Sequence, residues 1–377
     1  MITHPSLGRC LLALLTVVLA VQSASGIAEE PARNGRYLYV AVPGIRDYLE
    51  FGGHGLLVFD IDHGHQFVKR IATAGVNETG RPLNVKGICA SARTGRLYIS
   101  TIKQLMCLDL ASEKTLWERK YDAGCDRMSI TPDGQTIYLP SLEGPLWYVV
   151  DAETGQVRHK VVTNSGAHNT ICGPTGDFAY LGGLKSPLLQ VVDTRDYNLH
   201  GVGPFSASVR PFTIDSRQTR CYVNVNELLG FEVGDLASGD KLFRVEVQGF
   251  SKGPTKRHGC PSHGIGLTPD ETELWVADAA NSRMHIFDAT EMPPKQVASI
   301  ALREQPGWVT FSIDGRYGYP STGEVVETKT RNIVAALADE EGRPVHSEKM
   351  LEIDWSNGKV AIAGNQFGIG RAKDAAK

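Results

Sequence analysis

The sequence RHGCPSHGIGLTPDETELWVADAANSRMHIFD, residues 257–288, carries the clearest structural signal in the chain. Three short apolar runs, at Gly264–Leu267, Glu273–Asp278 and Arg283–Asp288, are separated by the turn Thr268–Glu271 and by a polar loop. Alternating apolar residues bounded by Pro, Asp and Asn are typical of β-strands joined by tight turns. We therefore predict three consecutive strands in this segment.

The same pattern recurs along the chain, with an aromatic residue at the centre of each second strand. These seven positions, here called the pivot residues, are Tyr39, Tyr98, Tyr138, Tyr180, Tyr222, Trp275 and Tyr319. Their spacing of 40–59 residues, with four short strands per unit, is the signature of a β-propeller. The sequence thus predicts an all-β, seven-bladed propeller with four-stranded antiparallel blades.

Closure of the ring is the next expectation. Six inner strands precede the pivot residues, but none precedes Tyr39. An open first blade would expose sheet edges. We predict that a C-terminal strand within residues 350–363 completes the first blade.

Each third strand ends near an acidic residue that is followed by turn residues. We expect these acids to accept backbone N–H bonds in the turn between the third and fourth strands. They are Asp60, Asp109, Asp151, Asp193, Glu232, Asp288 and Glu327.

Composition indicates a globular protein with an export signal. The chain has 377 residues, of which 42% are apolar and 21% charged, and its net charge is −3. Arg9 precedes an apolar run, Leu11–Val21, which is followed by small residues. We interpret residues 1–28 as a secretory signal peptide, residues 29–371 as the propeller and residues 372–377 as a disordered tail. The protein is then periplasmic or secreted. No basic tract predicts nucleic-acid binding, and no later segment predicts a membrane span.

Six cysteines follow the signal peptide, and they lie in different repeats without CxxC spacing. An even number in an exported chain permits disulfides. We favour small buried hydrophobic residues as the role of most of them. They are Cys89, Cys107, Cys125, Cys172, Cys221 and Cys260.

Several phrases of the repeat match a known pattern. They are the turn TPDG at Thr131–Gly134, the strand sequence WVAD at residues 275–278 and VVDAETGQV at Val149–Val157. They resemble the YVTN-repeat family of bacterial propellers, from about Arg36 to Leu337. The resemblance implies an exported propeller. Related propellers include lactonases, lyases and cofactor-bearing reductases, so the resemblance leaves the activity open.

Polar residues open the inner strands, and all should surround one mouth of the central channel. Twelve residues before the pivots stand Lys86, Asp126, His168, Arg210, His263 and Gly307; eleven before stand Gly87, Arg127, Asn169, Pro211, Gly264 and Trp308. Strict alternation would place Arg127, Asn169 and Trp308 on the channel face. Alternation is least reliable where a strand leaves its loop, so either set could meet a ligand.

Loops at the same face add candidates. The first blade carries the loop Pro43–His54, which includes His54, and the insert Gln248–Ser262 could form a lid. Arg257 and His258 of this insert, with Lys86, Arg127 and Arg210, would favour an anionic ligand such as a carboxylate or uronate. Asn169 would contribute polar contacts, and Trp308 could stack on a sugar face.

A metal site is a weaker alternative. His54, His168 and His263 come from three blades, and three imidazoles plus water would suit zinc or manganese. No HxH or HExxH spacing supports such a site. Our main expectation is therefore that the protein uses no cofactor, with zinc or manganese as the alternative.

Two functions remain open. The first is a non-catalytic module that binds a small anionic ligand, a sugar acid or other carboxylate, or an unknown protein partner. The second is a lyase or lactonase acting on a sugar acid, with or without the assistance of a metal. In that case His168 or His263 would be the general base, and Arg210 would stabilise developing negative charge.

Overall fold

The computed structural model describes residues 1–2, 33–366 and 371–372. The predicted signal peptide lies almost entirely outside these residues, as does most of the predicted tail. Ala372, which we assigned to the tail, is paired with Ile362. Among the described residues, no helix is long and apolar enough to cross a membrane.

The described chain is built from thirty strands and one short 3-10 helix, Leu49–Phe51. The first two blades use β1 (Gly35–Val42), β2 (Gly55–Asp60), β3 (Gln66–Ile71), β4 (Val85–Ser91), β5 (Arg96–Thr101), β6 (Gln104–Asp109) and β7 (Thr115–Lys120). The third and fourth use β8 (Ser129–Ile130), β9 (Thr136–Pro140), β10 (Leu146–Asp151), β11 (Val157–Val162), β12 (Ala167–Cys172), β13 (Phe178–Gly183), β14 (Leu189–Asp193) and β15 (Leu199–Val202).

The remaining blades and the C-terminal segment follow in the same order. The fifth and sixth blades use β16 (Val209–Ile214), β17 (Arg220–Val225), β18 (Gly230–Asp235), β19 (Lys241–Glu246), β20 (Ser262–Leu267), β21 (Glu273–Asp278), β22 (Arg283–Asp288) and β23 (Lys295–Ala301). The seventh blade and the closing segment use β24 (Val309–Phe311), β25 (Tyr317–Pro320), β26 (Glu324–Glu327), β27 (Asn332–Ala336), β28 (Met350–Ser356), β29 (Lys359–Ala363) and β30 (Arg371–Ala372).

Six sheets each contain four consecutive antiparallel strands, and a seventh joins the two ends of the chain. In that sheet β28 pairs with β1, from Val40 opposite Met350 to Gly35 opposite Trp355. The predicted seven-bladed fold and its closure by a C-terminal strand are therefore confirmed. The sheet is larger than predicted, because β29 and β30 continue it beyond the inner strand β28.

The core consists of apolar layers between neighbouring blades. All seven pivot residues are at most 3% exposed. Pivot residue Tyr39 of the first blade packs with Ile88 of the second. On the other side of the first blade, Leu38 packs with Tyr319 of the seventh. Burial of large apolar side chains between each blade and its two neighbours stabilises the ring.

Five of the seven turn acids accept backbone N–H bonds as predicted, and Glu232 and Glu327 are the exceptions. Asp109 and Asp151, for example, accept backbone N–H bonds from Ser112 and Thr154, each at 2.7 Å. Glu327 accepts instead from the Thr330 hydroxyl at 2.8 Å. Glu232 was assigned wrongly. It is buried and accepts from the Ser206 amide, while Asp235 accepts from the turn amides after β18. All six cysteines of the propeller are buried, as expected for small hydrophobic residues.

The chain after β28 runs back into the central channel. β29 pairs with β28, and the backbone carbonyls of Asn365 and Gln366 accept bonds from Thr310 and Trp308 of the seventh blade. The Gln366 side chain donates to the Met128 carbonyl of the third blade at 3.0 Å. One segment thus touches inner strands on different sides of the ring. It therefore links the seventh blade to the third.

Candidate functional site

A ring of seven positions surrounds the mouth of the channel. Each lies three residues before the inner-strand residue that pairs with a pivot; for example, Cys89 pairs with Tyr98, and Lys86 lies three residues earlier. In the first blade Leu351 pairs with Tyr39, so the equivalent position is Glu348. The complete mouth ring is Lys86, Asp126, His168, Arg210, His263, Gly307 and Glu348.

The next residue of each strand forms a second ring. Its members are Gly87, Arg127, Asn169, Pro211, Gly264, Trp308 and Lys349. Glu348 and Lys349 are the members that sequence analysis missed. Counting back from a pivot cannot reach them, because the inner strand of the first blade comes from the other end of the chain. One feature of the sequence could have identified them: Glu348 and Lys349 directly precede the predicted closing strand, just as the other polar residues lie at the start of their inner strands.

Residues of these rings and of five neighbouring loops line an open pocket of about 120 Å³, here called the mouth pocket. Its walls carry three histidines, His168, His258 and His263. The charged wall residues are the cations Arg46, Lys86, Arg127, Arg210, Arg257 and Lys349 and the acids Asp126, Glu143 and Glu348. Six cations face three carboxylates, so the pocket carries excess positive charge.

Seven of the ten candidate residues line this pocket: Lys86, Arg127, His168, Arg210, Arg257, His258 and His263. Both of the alternative sets therefore contribute, and their binding role stays a prediction. The other three are placed differently. Asn169 is fully buried, and its amide has no hydrogen-bond partner among the described residues. His54 lies outside the pocket walls, with Nε2 at 3.3 Å from the Thr73 hydroxyl.

Trp308 does not offer a face to a sugar. The ring is fully buried, and the Arg127 guanidinium carbon lies 3.4 Å from its centroid. This cation–π contact occupies the surface that we assigned to a ligand. The Trp308 indole instead supports Arg127 from one side, while Gln366 accepts a bond from Arg127 Nη1 at 3.3 Å.

Asp126 organises one side of the pocket. Its carboxylate lies 3.2 Å from Lys86 Nζ and 2.8 Å from His168 Nδ1. Burial by itself would raise the pKa of Asp126, but Lys86 and His168 outweigh it and hold the pKa below its usual value. An ionised carboxylate only accepts, so His168 Nδ1 carries a proton. In the neutral ring, Nε2 is then the basic atom.

Glu348 organises the opposite side. It accepts from Arg127 Nη2 at 2.9 Å and from Lys349 Nζ at 2.8 Å, and it lies 3.2 Å from His258 Nδ1. Burial opposes ionisation, but Lys349 and the other neighbouring bases hold the pKa of Glu348 well below its usual value. Burial also lowers the pKa of Lys349, to about 8, with Arg127 adding to the effect.

His263 is the second imidazole with a defined tautomer. Its Nδ1 lies 2.8 Å from the Gly307 carbonyl, which can only accept, so Nδ1 carries a proton. Burial, and then the neighbouring His258, hold the pKa of His263 well below its usual value. His263 is therefore neutral near pH 7, with Nε2 as its basic atom.

The residues whose ligand atoms lie close together are not the three histidines that sequence analysis grouped as a possible metal site. The ligand atoms of His258, His263 and Glu348 lie within 4.8 Å of one another; His54 belongs to no such group among the described residues. The His258 and His263 rings are stacked, with centroids 4.6 Å apart and planes 28° apart, so their in-plane lone pairs do not converge. Glu348 is already neutralised by two cations. The expectation of no cofactor and the zinc or manganese alternative both stay predictions.

The insert Gln248–Ser262 forms part of the pocket wall, and its role as a lid stays a prediction. It supplies Arg257 and His258 to the pocket. Two guanidiniums hold its backbone: Arg46 donates to the Arg257 carbonyl at 2.7 Å, and Arg210 donates to the Gly259 carbonyl at 3.1 Å.

Comparisons with known proteins agree on the fold. No family model matches the chain, and no curated protein matches it. Among solved structures, Kuenenia stuttgartiensis hydrazine synthase is similar with a TM-score of 0.58 and 16% identity, over 78% of this chain and 98% of that chain. Dihydro-heme d1 dehydrogenase NirN in complex with DHE has a TM-score of 0.60 and 12% identity, over 90% and 72%.

The third similar structure is the β-propeller domain of Myceliophteria thermophila Cps50 (Swd1). It has a TM-score of 0.58 and 11% identity, over 73% of this chain and 94% of that chain. At these identities the likeness establishes the propeller fold and not an activity. The resemblance to the YVTN-repeat family stays a prediction from the repeat residues.

Proposed function

We propose that this protein binds a small anionic molecule, a sugar acid or other small carboxylate, in the mouth pocket. The observation that carries the proposal is the uncompensated positive charge of the pocket walls. Lys86 is paired with Asp126, while Arg127 and Lys349 share Glu348. These three cations have acidic partners.

The other three cations have only neutral partners among the described residues. Arg46 donates to a carbonyl, and Arg210 donates to a carbonyl and to the Asn226 side-chain oxygen at 2.6 Å. Arg257 lies 5.6 Å from the Tyr48 ring centroid and 6.0 Å from that of Phe51. Guanidiniums bind carboxylates through paired N–H bonds, so three of them at one pocket favour an anion.

The size of the pocket restricts the ligand further. A cavity of about 150 Å³ holds benzene, so one of about 120 Å³ accommodates a similar or slightly smaller number of heavy atoms. A three- or four-carbon acid fits, as does the acidic end of a larger sugar acid.

A second candidate is a lyase that removes a proton beside a carboxylate. The arrangement of Asp126 and His168 favours it, because a carboxylate holds the imidazole with Nε2 as the basic atom. Arg210 would then stabilise the negative charge that develops on the substrate. Elimination from a uronate oligomer, followed by ultraviolet absorbance in wild type and His168→Ala, tests this candidate.

Export remains part of the proposal, because the apolar segment after Arg9 and its small-residue boundary have the pattern of a signal peptide. Cell fractionation, with mass determination of the mature N-terminus, tests this part. We expect cleavage between residues 25 and 28. Retention of Met1 in a cytoplasmic fraction would contradict it.

Binding is tested by calorimetry with pyruvate, lactate and galacturonate. Arg210→Ala should weaken the binding of these acids by about tenfold or more, because a charge-assisted bond contributes about 1.5–3 kcal/mol. Arg195→Ala is the matched control: its side chain is 75% exposed, and it pairs with Asp193 at a third-to-fourth-strand turn, away from the mouth. Equal binding by both variants, or no binding of any acid by the wild type, would refute the proposal.

A further inference from the structure

Lys349 is a buried amine on the wall of the mouth pocket that the proposed binding function does not require. Its Nζ lies 2.8 Å from the Gly44 carbonyl and 2.8 Å from Glu348 Oε2. The residue is 4% exposed. It belongs to the second ring, beneath the mouth-ring residues.

The two partners of Lys349 are both pure acceptors. A neutral amine has two N–H bonds and one lone pair. If the carbonyl and the carboxylate each accept one N–H, neither of them uses the lone pair. Because Lys349 lines the mouth pocket, we expect the lone pair to be accessible to a ligand there. Lys86, the other lysine of the pocket, differs because it is 18% exposed and faces the Asp126 carboxylate.

The surroundings of Lys349 favour the neutral amine. Burial lowers its pKa most, and the nearby cations Arg127 and Lys86 act in the same direction against Glu348, so that the pKa is about 8. About a tenth of the amine is then uncharged at pH 7. Desolvation and a neighbouring cation are the usual means by which proteins activate a lysine as a nucleophile.

We propose that Lys349 forms an imine with the carbonyl group of a small 2-oxo carboxylic acid bound in the mouth pocket. The inference rests on the proposed function, since the guanidiniums must first hold the carboxylate. The amine nitrogen bonds to the carbonyl carbon, the carbon–oxygen bond breaks, and the oxygen leaves as water with the two amine hydrogens. Protonation of the imine gives a cation, which Glu348 at 2.8 Å stabilises.

The ligand class follows from the neighbouring groups. The carboxylate of a 2-oxo acid would meet the guanidiniums of Arg46, Arg210 and Arg257, and its adjacent carbonyl carbon would meet the amine. Pyruvate has six heavy atoms, the same number as benzene, and therefore matches a cavity of about 120 Å³.

The test is reductive trapping on the full chain. Wild-type protein is incubated with pyruvate and cyanoborohydride, and the modified residue is found by peptide mass mapping. We expect one carboxyethyl adduct per chain, on Lys349. Lys349→Arg should lose it, and Lys252→Arg, a change in an exposed lysine of the insert, should retain it. Adducts on Lys86 alone, adducts spread over exposed lysines, or no adduct would each overturn the inference.

Calorimetry separates this inference from the proposed function. Pyruvate can form an imine, whereas lactate has the same carboxylate but no carbonyl. We expect wild type to bind pyruvate about tenfold more tightly than lactate, and Lys349→Arg to remove the difference. If lactate and pyruvate bind equally without trapping, the imine is refuted and carboxylate binding stands. If neither binds but galacturonate does, the imine is refuted and the proposed function stands; if none of the three acids binds, the proposed function itself fails.

Discussion

Removal of the Glu348 carboxylate is the most informative perturbation of the pocket. In Glu348→Ala, Arg127 and Lys349 both lose their acidic partner while they remain buried. Loss of one partner of a buried ion pair costs about 3–5 kcal/mol, because the remaining charge is left uncompensated. His258 also loses the carboxylate at 3.2 Å. The free energy of unfolding should therefore fall by about this amount.

The expected change in Tm follows from the size of the propeller. Unfolding entropy is about 2.1 cal/mol/K per residue, or about 0.7 kcal/mol/K for the roughly 330 described residues of the ring. A loss of about 3–5 kcal/mol then lowers Tm by about 4–7 °C. Glu348→Gln should lie between wild type and the alanine variant, because the amide oxygen still accepts one bond.

Differential scanning calorimetry at pH 7 measures this change. Glu341→Ala is the matched control, since its side chain is 64% exposed and pairs with Arg343 at 3.2 Å. Exposed pairs contribute about 0–1 kcal/mol, so its Tm should fall by no more than about 1 °C. A Glu348→Ala variant that unfolds within about 1 °C of wild type would refute the view that this carboxylate holds the two cations.

Three further predictions concern other buried groups. The pKa of Lys349 is about 8 in the folded state and 10.5 normally. Between these two pH values the unfolded chain binds more protons than the folded chain, so the free energy of unfolding rises with pH. In urea titrations this free energy should rise by about 2 kcal/mol less in Lys349→Met than in wild type between pH 7.5 and 9.5. Gln366→Ala removes bonds to the third blade and to Arg127, and should lower the free energy of unfolding in urea by about 1–3 kcal/mol. His285→Phe removes the imidazole that lies 3.1 Å from the buried Asp278 carboxylate. Calorimetry should show that the free energy of unfolding falls by about 1–3 kcal/mol. An unchanged Tm would show that this contact adds no stability.

Sequence repetition predicts the fold because each blade buries the same positions. The pivots, the inner strands and the closing strand all follow from apolar alternation and from the need to pair every inner edge. Position Glu232 shows the limit of this reasoning. Both Glu232 and Asp235 lie in β18, and only tertiary contacts, such as the Ser206 amide, distinguish the buried acid from the turn acid.

The candidate site is less predictable, since it depends on contacts between distant parts of the chain. Glu348 reaches the ring only through the pairing of β28 with β1. Trp308 is covered by Arg127 of another blade, and His54 turns to Thr73 instead of the pocket. None of these three arrangements is encoded in the spacing of residues within one repeat.

The pairing of β1 with β28 has a consequence for biosynthesis. β1 begins at Gly35 and its partner begins at Met350. Ribosomes add about 5–20 residues per second, so about 15–60 s separate the appearance of the two strands. During that interval the growing polypeptide presents an unmatched strand to other nascent chains and to chaperones. A message that terminates before β28 would yield a product whose first blade never finds its inner strand.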